Sequence, residues 1–248
     1  MRVDVLTLFP EMFTGPMTSS MMWKARDRGL LDLQLHNLRD YSTDKHHTVD
    51  DMPYGGGGGM LLRADVIGAA VSALKPAAPI PVIYLSPQGR VLSHGIAAEL
   101  AQQPHLMLLC GHYEGIDERA LELYVTDSIS IGDYVLTGGE LAAMVLIDAV
   151  TRHIPGVLGA AGAHERDSHA DGLLEGAHYT RPALYGGLAV PEVLLNGHHA
   201  DILLWRRQQA LRRTWRNRPE LLFSAPLSEA DRYYLAVLAN EDAQLRRP

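Results

Sequence analysis

A chain of 248 residues that is 47% apolar can bury one large core or two unequal ones, and its formal charge of −7 excludes a generic polyanion binder, because phosphate contacts need Lys and Arg. The longest uncharged stretches, such as residues 76–89 and 154–163, are broken by Pro or Gly, so none offers the roughly 18 apolar residues of a membrane span. A single cysteine, Cys110, excludes an intrachain disulfide and fits a reducing compartment, so a cytoplasmic location is expected.

The first ten residues carry an early acid, Asp4, and no small-residue cleavage site, and so read as a strand rather than a signal peptide. Strand-like apolar runs recur at residues 3–8, 31–35, 82–85, 106–110 and 128–131. Helical spacing between them predicts helices near 17–28, 64–74, 93–103, 117–123 and 140–153. Such alternation predicts an α/β fold whose mainly parallel sheet is covered on both faces. From 156 to 176 the pattern lapses into Gly, Ala, His and acids, and reads as a connector. The apolar run 190–195 then gives way to a predicted helix at 199–215, and Ser228 with Asp231 matches a capping box opening a second helix. The expected organisation is a first domain at 1–159, an interdomain linker at 160–175 and a small helical domain at 176–248.

Five consecutive glycines at 55–59 lack the ending of a phosphate-binding P-loop and do not fit a strand-GxGxxG-helix unit. A connector and a substrate loop both remain open for them. Three other segments sit at the C-terminal ends of predicted strands: residues 85–90, 110–119 and 131–140. Ligands gather at such strand ends in open α/β sheets, although each segment alone could be an ordinary turn. The pairs His46-His47 and His198-His199 are adjacent rather than one helical turn apart, so no zinc site is expected. Cys110 ends an apolar strand and reads as a small buried residue, and there is no G-x-S-x-G elbow.

Residues 206–218 hold six arginines and no acid, flanked by Trp205 and Trp215. Arg206 and Arg213 share one helix face, as do Arg212 and Arg216. Arginine interleaved with aromatics suits phosphate contact and base stacking, and equally a solvated helix with tryptophans in its core. Arg152, Asp167 and Asp171 place one cation and two carboxylates in or beside the connector.

Taken in order, these segments resemble the bacterial tRNA (guanine-N1-)-methyltransferase family, of the SPOUT class. The resemblance rests on Leu8-Phe9-Pro10-Glu11-Met12-Phe13, Asp50-Asp51-Met52-Pro53-Tyr54, residues 86–90, 110–119, 130–140 and 154–159, His178-Tyr179-Thr180-Arg181-Pro182 and Asn196-Gly197-His198-His199. It covers nearly the whole chain. It departs at His112, where the family usually has Arg, at Ala142, where it has Pro, and at Gly58, where it commonly has Pro.

The resemblance implies a SPOUT-type parallel sheet with a trefoil knot at the C-terminal end of the first domain, and a tRNA-binding second domain. It implies that S-adenosylmethionine is held in a bent shape by Tyr84, Leu85, Ser86 and Pro87, by Gly111 and Tyr113, and by Ile131, Gly132, Asp133, Tyr134, Val135, Leu136, Gly138 and Gly139. Asp167 is implied as general base, Arg152 as its cationic helper and Glu114 as a further active-site acid. Arg206, Arg213 and Arg216 are the expected RNA contacts. The implied partners are a tRNA with guanosine at position 37 and a second copy of the chain, with the active site at the homodimer interface. Magnesium is an implied requirement, with no obvious all-protein site.

Guanine N1 carries a proton and has no free in-plane lone pair, so that proton must leave before methylation. An ordinary aspartate, with a pKa of about 3.9, is too weak a base for this unless the anion formed at O6 is stabilised, as a nearby cation would do. Two other classes fit the same segments: an RNA-binding protein without catalysis, and a SPOUT enzyme acting on a ribose 2′-hydroxyl.

Overall fold

The computed structural model describes residues 1–159 and 167–245. The chain separates into two compact units, Met1–Ala161 and Gly162–Pro248. Among the described residues no helix is long and apolar enough to cross a membrane.

The first unit opens with β1 (Arg2–Thr7), a short turn α1 (Thr14–Met17), α2 (Ser20–Asp27) and β2 (Asp32–Asn37). A two-residue pair, β3 (Asp50–Asp51) and β4 (Leu61–Leu62), brackets the glycine run and leads to α3 (Ala64–Leu74). Then come β5 (Val82–Val91), α4 (His94–Leu100), β6 (His105–Cys110), α5 (Glu118–Tyr124), β7 (Asp127–Ser130) and α6 (Glu140–Thr151). Five strands form one parallel sheet in the order β2-β1-β6-β5-β7.

The central strands read as continuous apolar runs because both faces are buried. Val3, Val5, Leu106, Leu108 and Ile83 enter one core with α2, α4 and α6. Leu6, Met107, Leu109 and Val82, one residue out of step, enter the other with α3. The expected parallel α/β architecture is therefore observed. The helix predicted at 64–74 is observed over Ala64–Leu74, and the other helix ends differ by a few residues for local reasons. α4 starts after Ser93, whose hydroxyl accepts from the Ile96 N–H, and stops at Leu100, with Pro104 disfavouring helical backbone before it.

In the second unit, β8 (Leu184–Tyr185) and β9 (Leu188–Ala189) form a hairpin, followed by α7 (His199–Asn217) and α8 (Glu229–Leu245). The apolar run at 190–195 is not a strand but Pro191 and one turn of 3-10 helix, Glu192–Leu194. The hairpin went unread in the sequence, although its Gly186-Gly187 turn is a recognised signal. The Ser228 box forms as expected, Ser228 Oγ accepting from Asp231 N at 3.2 Å and Asp231 Oδ2 from Ser228 N at 2.9 Å.

Residues 167–176 pack within this second unit. Leu173 is buried, the Leu174 N–H donates to Thr214 Oγ1 at 2.9 Å, and Asp171 pairs with Arg207 at 2.6 Å.

Candidate active site

Three loops meet at the C-terminal ends of β5, β6 and β7. The first arises because Leu85 and Arg90 both pair with Ile129, which throws residues 86–89 out of the strand as an excursion. Ser86 Oγ accepts from the Gln88 N–H and stabilises its turn. The second loop follows Cys110 and is tied to the glycine run. Glu114 N donates to Met60 O at 3.0 Å, and Leu62 N to Gly115 O at 2.9 Å. The third, after Ser130, returns to the second: the Gly139 N–H donates to Gly111 O at 2.8 Å and His112 bridges Gly138.

The third loop closes because Gly139 has no side chain. A Cβ there would lie 2.8 Å from Cys110 Cα and 2.9 Å from Gly111 N. Behind this seam Glu140, the first residue of α6, is 2% exposed, and its Oε1 accepts from Thr7 Oγ1 at 2.7 Å. A carboxylate at a helix N-terminus is favoured by the helix dipole. Burial, with a smaller contribution from Glu140, pushes the Cys110 thiol well up, which disfavours the nucleophilic thiolate.

One cavity lies among the three loops. Tyr84, Leu85, Ser86 and Pro87 line it from the first; Gly111, Tyr113 and Glu114 from the second; Ile131, Gly132, Tyr134, Val135, Leu136, Gly138 and Gly139 from the third. Asp133, expected with them, is not among the lining residues. His112, Ile129, Ser130, Thr137 and Ala142 also line it and were not read from the sequence as ligand contacts. His112 is wedged between Phe9 and Tyr113, at ring-centroid distances of 5.1 Å and 4.9 Å, and its Nδ1 is buried without a hydrogen-bond partner. Apolar side chains from Leu85, Pro87, Ile131 and Leu136, beside exposed backbone, fit an adenosyl group, whose edge is read by N–H and C=O groups.

The glycine run abuts this site through Gly59 without lining the cavity. Gly59 has φ +84°, and a Cβ on it would fall 2.3 Å from Glu114 Cγ, so the run lets Glu114 lie across it. Arg152 is the exposed C-cap of α6, outside the cavity lining.

Asp167 lies in the second unit, in a cleft it shares with Asp171, Glu175, His178, Arg206 and Arg207. The three arginines expected to meet RNA occupy different settings. Arg206 is exposed in this cleft and makes no ion pair or side-chain hydrogen bond among the described residues. Arg213 donates to the carbonyls of Glu175 and Gly176 at 3.1 and 2.9 Å. Arg216 is exposed beside Trp215, whose indole donates to Asp242. Among the described residues no group of three or more His, Cys, Asp or Glu is arranged to hold a metal ion.

Comparison with known proteins agrees with this geometry. The family described as tRNA (Guanine-1)-methyltransferase TrmD matches residues 1–224. A tRNA (guanine-N(1)-)-methyltransferase of Dehalococcoides mccartyi strain 195 is 56% identical over 245 residues, covering 98% of this chain and 99% of the relative. Proteins of the same name from Moorella thermoacetica and Geobacter sulfurreducens are 56% and 55% identical, covering 98% and 97% of this chain and 99% of each relative. A match over this length, with the three loops assembled around one cavity, establishes that the chain belongs to the tRNA (guanine-1)-methyltransferase family.

Proposed function

We propose that this protein methylates N1 of guanine in tRNA, at the guanosine of position 37, with S-adenosylmethionine as donor. The observation that carries the reading is the cavity formed where the third loop closes on the second, Gly139 to Gly111, in a chain of this family. The same closure supports a trefoil-knotted passage of the chain through these loops. Leu141 and Val145, one turn apart and exposed on α6, support a homodimer completing the site across its interface. The fully buried Cys110 thiol suits the cytoplasm.

When bound, S-adenosylmethionine supplies a methyl group already activated by a sulfonium. The chain's own residues do the rest. Backbone and apolar side chains of the loops fix the donor's orientation and exclude water. Glu114 lines the cavity and offers a carboxyl group to the cationic end of the ligand. Asp167 accepts the N1 proton, leaving the in-plane lone pair that attacks. Arg152 stabilises the charge that deprotonation spreads onto O6. Alignment of nucleophile, methyl carbon and sulfur supplies the remaining acceleration.

The test is transfer of labelled methyl to an unmodified transcript carrying guanosine at position 37, beside an adenosine version, with nucleoside mass spectrometry locating the new group. Label on N1 of guanine, absent from the adenosine transcript, is the expected result. Equal labelling of both, or a methylated ribose, overturns it. Asp167→Asn is expected to bind both ligands and lose at least about a hundredfold in single-turnover rate.

A further inference from the structure

We propose that His153, held edge-on by His94, is a positioning residue that fixes the direction in which Arg152 leaves the end of α6. This rests on the reading of Arg152 as the cation that stabilises charge on O6, and it adds how the chain holds that cation in place.

Arg152 is exposed at the C-terminal end of α6. A long side chain there samples many rotamers, and its use as a fixed cation costs the entropy of stopping it. The backbone around it is well set. The Arg152 N–H donates to Asp148 O at 3.2 Å, His153 N to Val150 O at 3.0 Å and Ile154 N to Thr151 O at 3.1 Å, so helical winding runs on past the last residue of α6. Successive side chains on such a winding project about 100° apart. Whatever holds the side chain of residue 153 therefore sets the bearing of residue 152.

Contacts from two other elements hold this turn. The His153 ring meets that of His94, the first residue of α4, with centroids 4.7 Å apart and planes at 77°, the edge-to-face arrangement that ring quadrupoles favour. Both rings are half-buried. α4 is a firm anchor, because its Ala97 and Leu100 are buried in one core with Leu146 and Val150 of α6. Farther along, Arg28 at the end of α2 donates through Nη1 to Gly156 O at 3.1 Å. The stretch from Thr151 to Val157 is thus a strap: its two end residues are buried, His94 and Arg28 clasp it between them, and Arg152 projects from it. Neither histidine lines the cavity among the three loops, so their influence on the reaction passes through Arg152.

The experiment measures single-turnover methyl transfer to an unmodified tRNA transcript by the full-length protein with both substrates saturating, alongside donor affinity by calorimetry and thermal melts. His153→Ala and His94→Ala are each expected to slow transfer about 5- to 50-fold, as misplacement of a reacting group by a fraction of an ångström does, with donor affinity unchanged. His153→Phe is expected to restore the rate, because the contact needs a ring. In an Arg152→Ala background, His153→Ala is expected to cause no further loss. A merely structural effect of His153→Ala acts whether Arg152 is present or not, and would reappear there in full. Wild-type rates in both alanine variants, or that full second loss, overturns the positioning role. An Arg152→Ala protein working at the wild-type rate overturns the cation reading and the proposal with it, whereas a slow Arg152→Ala beside a fast His153→Ala overturns the positioning role alone.

Discussion

Gly139 and Cys110 meet backbone to backbone: a methyl group built on Gly139 would lie 2.8 Å from Cys110 Cα, with the Gly111 nitrogen only 0.1 Å farther, at 2.9 Å. No side chain is there to move aside, so Gly139→Ala must part the second and third loops. Overpacking of this kind costs about 1–3 kcal/mol. Calorimetry is expected to show S-adenosylmethionine affinity reduced tenfold or more, alongside a lower melting temperature. Wild-type affinity with the same melt would remove the closure from the account of the cavity.

The glycine run is expected to act through Glu114. Gly59→Ala adds a Cβ where Glu114 Cγ now lies and strains a residue at φ +84°. If Glu114 acts in the reaction as proposed, displacing it by about 1 Å costs on the order of ten- to a hundredfold in rate. In a Glu114→Ala background the same glycine change is expected to cost far less, a coupling that single-turnover assays of the four proteins measure directly.

Two arginines on one helix face are expected to respond oppositely. Arg213 donates to the Glu175 and Gly176 carbonyls and so stabilises the packing of 167–176 on α7. Arg213→Ala should lower stability by about 1.5–3 kcal/mol in urea melts while leaving the salt slope of RNA binding unchanged. Arg206→Ala should do the reverse, losing about one unit of salt slope with the melt preserved.

Asp4 predicts an acid limit to stability. Burial alone would raise its carboxyl, but hydrogen bonds from Arg2, His36 and His105, with the Arg2 charge, outweigh this and hold it below the ordinary value of 3.8. A group whose folded pKa is depressed contributes stability above its unfolded pKa and loses it as pH falls through the folded one. Stability is therefore expected to fall from about pH 4 downward. Asp4→Asn should be less stable near neutrality, by a few kcal/mol, since it unpairs a buried ionic cluster, and should show a smaller further loss in acid. Urea midpoints between pH 6 and pH 2 test both.

Much of the fold was legible in local pattern. The runs at 82–85 and 106–110 are strands because apolar residues there serve two buried faces, and Ser228 caps α8 through groups three residues apart. Periodicity and capping act within a few residues, so a sequence displays them. The resemblance supplied the loop residues, and the structure gathers all of them but Asp133 around the cavity.

What tertiary structure alone decided lies between residues far apart in the chain. The identical side chains of Arg206 and Arg213 differ because the second finds carbonyls 37 and 38 residues away. Gly59 is tied to Glu114 across the chain, Leu85 and Arg90 converge on one partner residue, and Asp4 draws in histidines 32 and 101 residues distant. The sequence determined the five strands of the main sheet and the longer helices, since these follow from local hydrophobic spacing. Which polar group spends its hydrogen bonds on the protein, and which keeps them for a ligand, depends on through-space distances that only the packed chain sets.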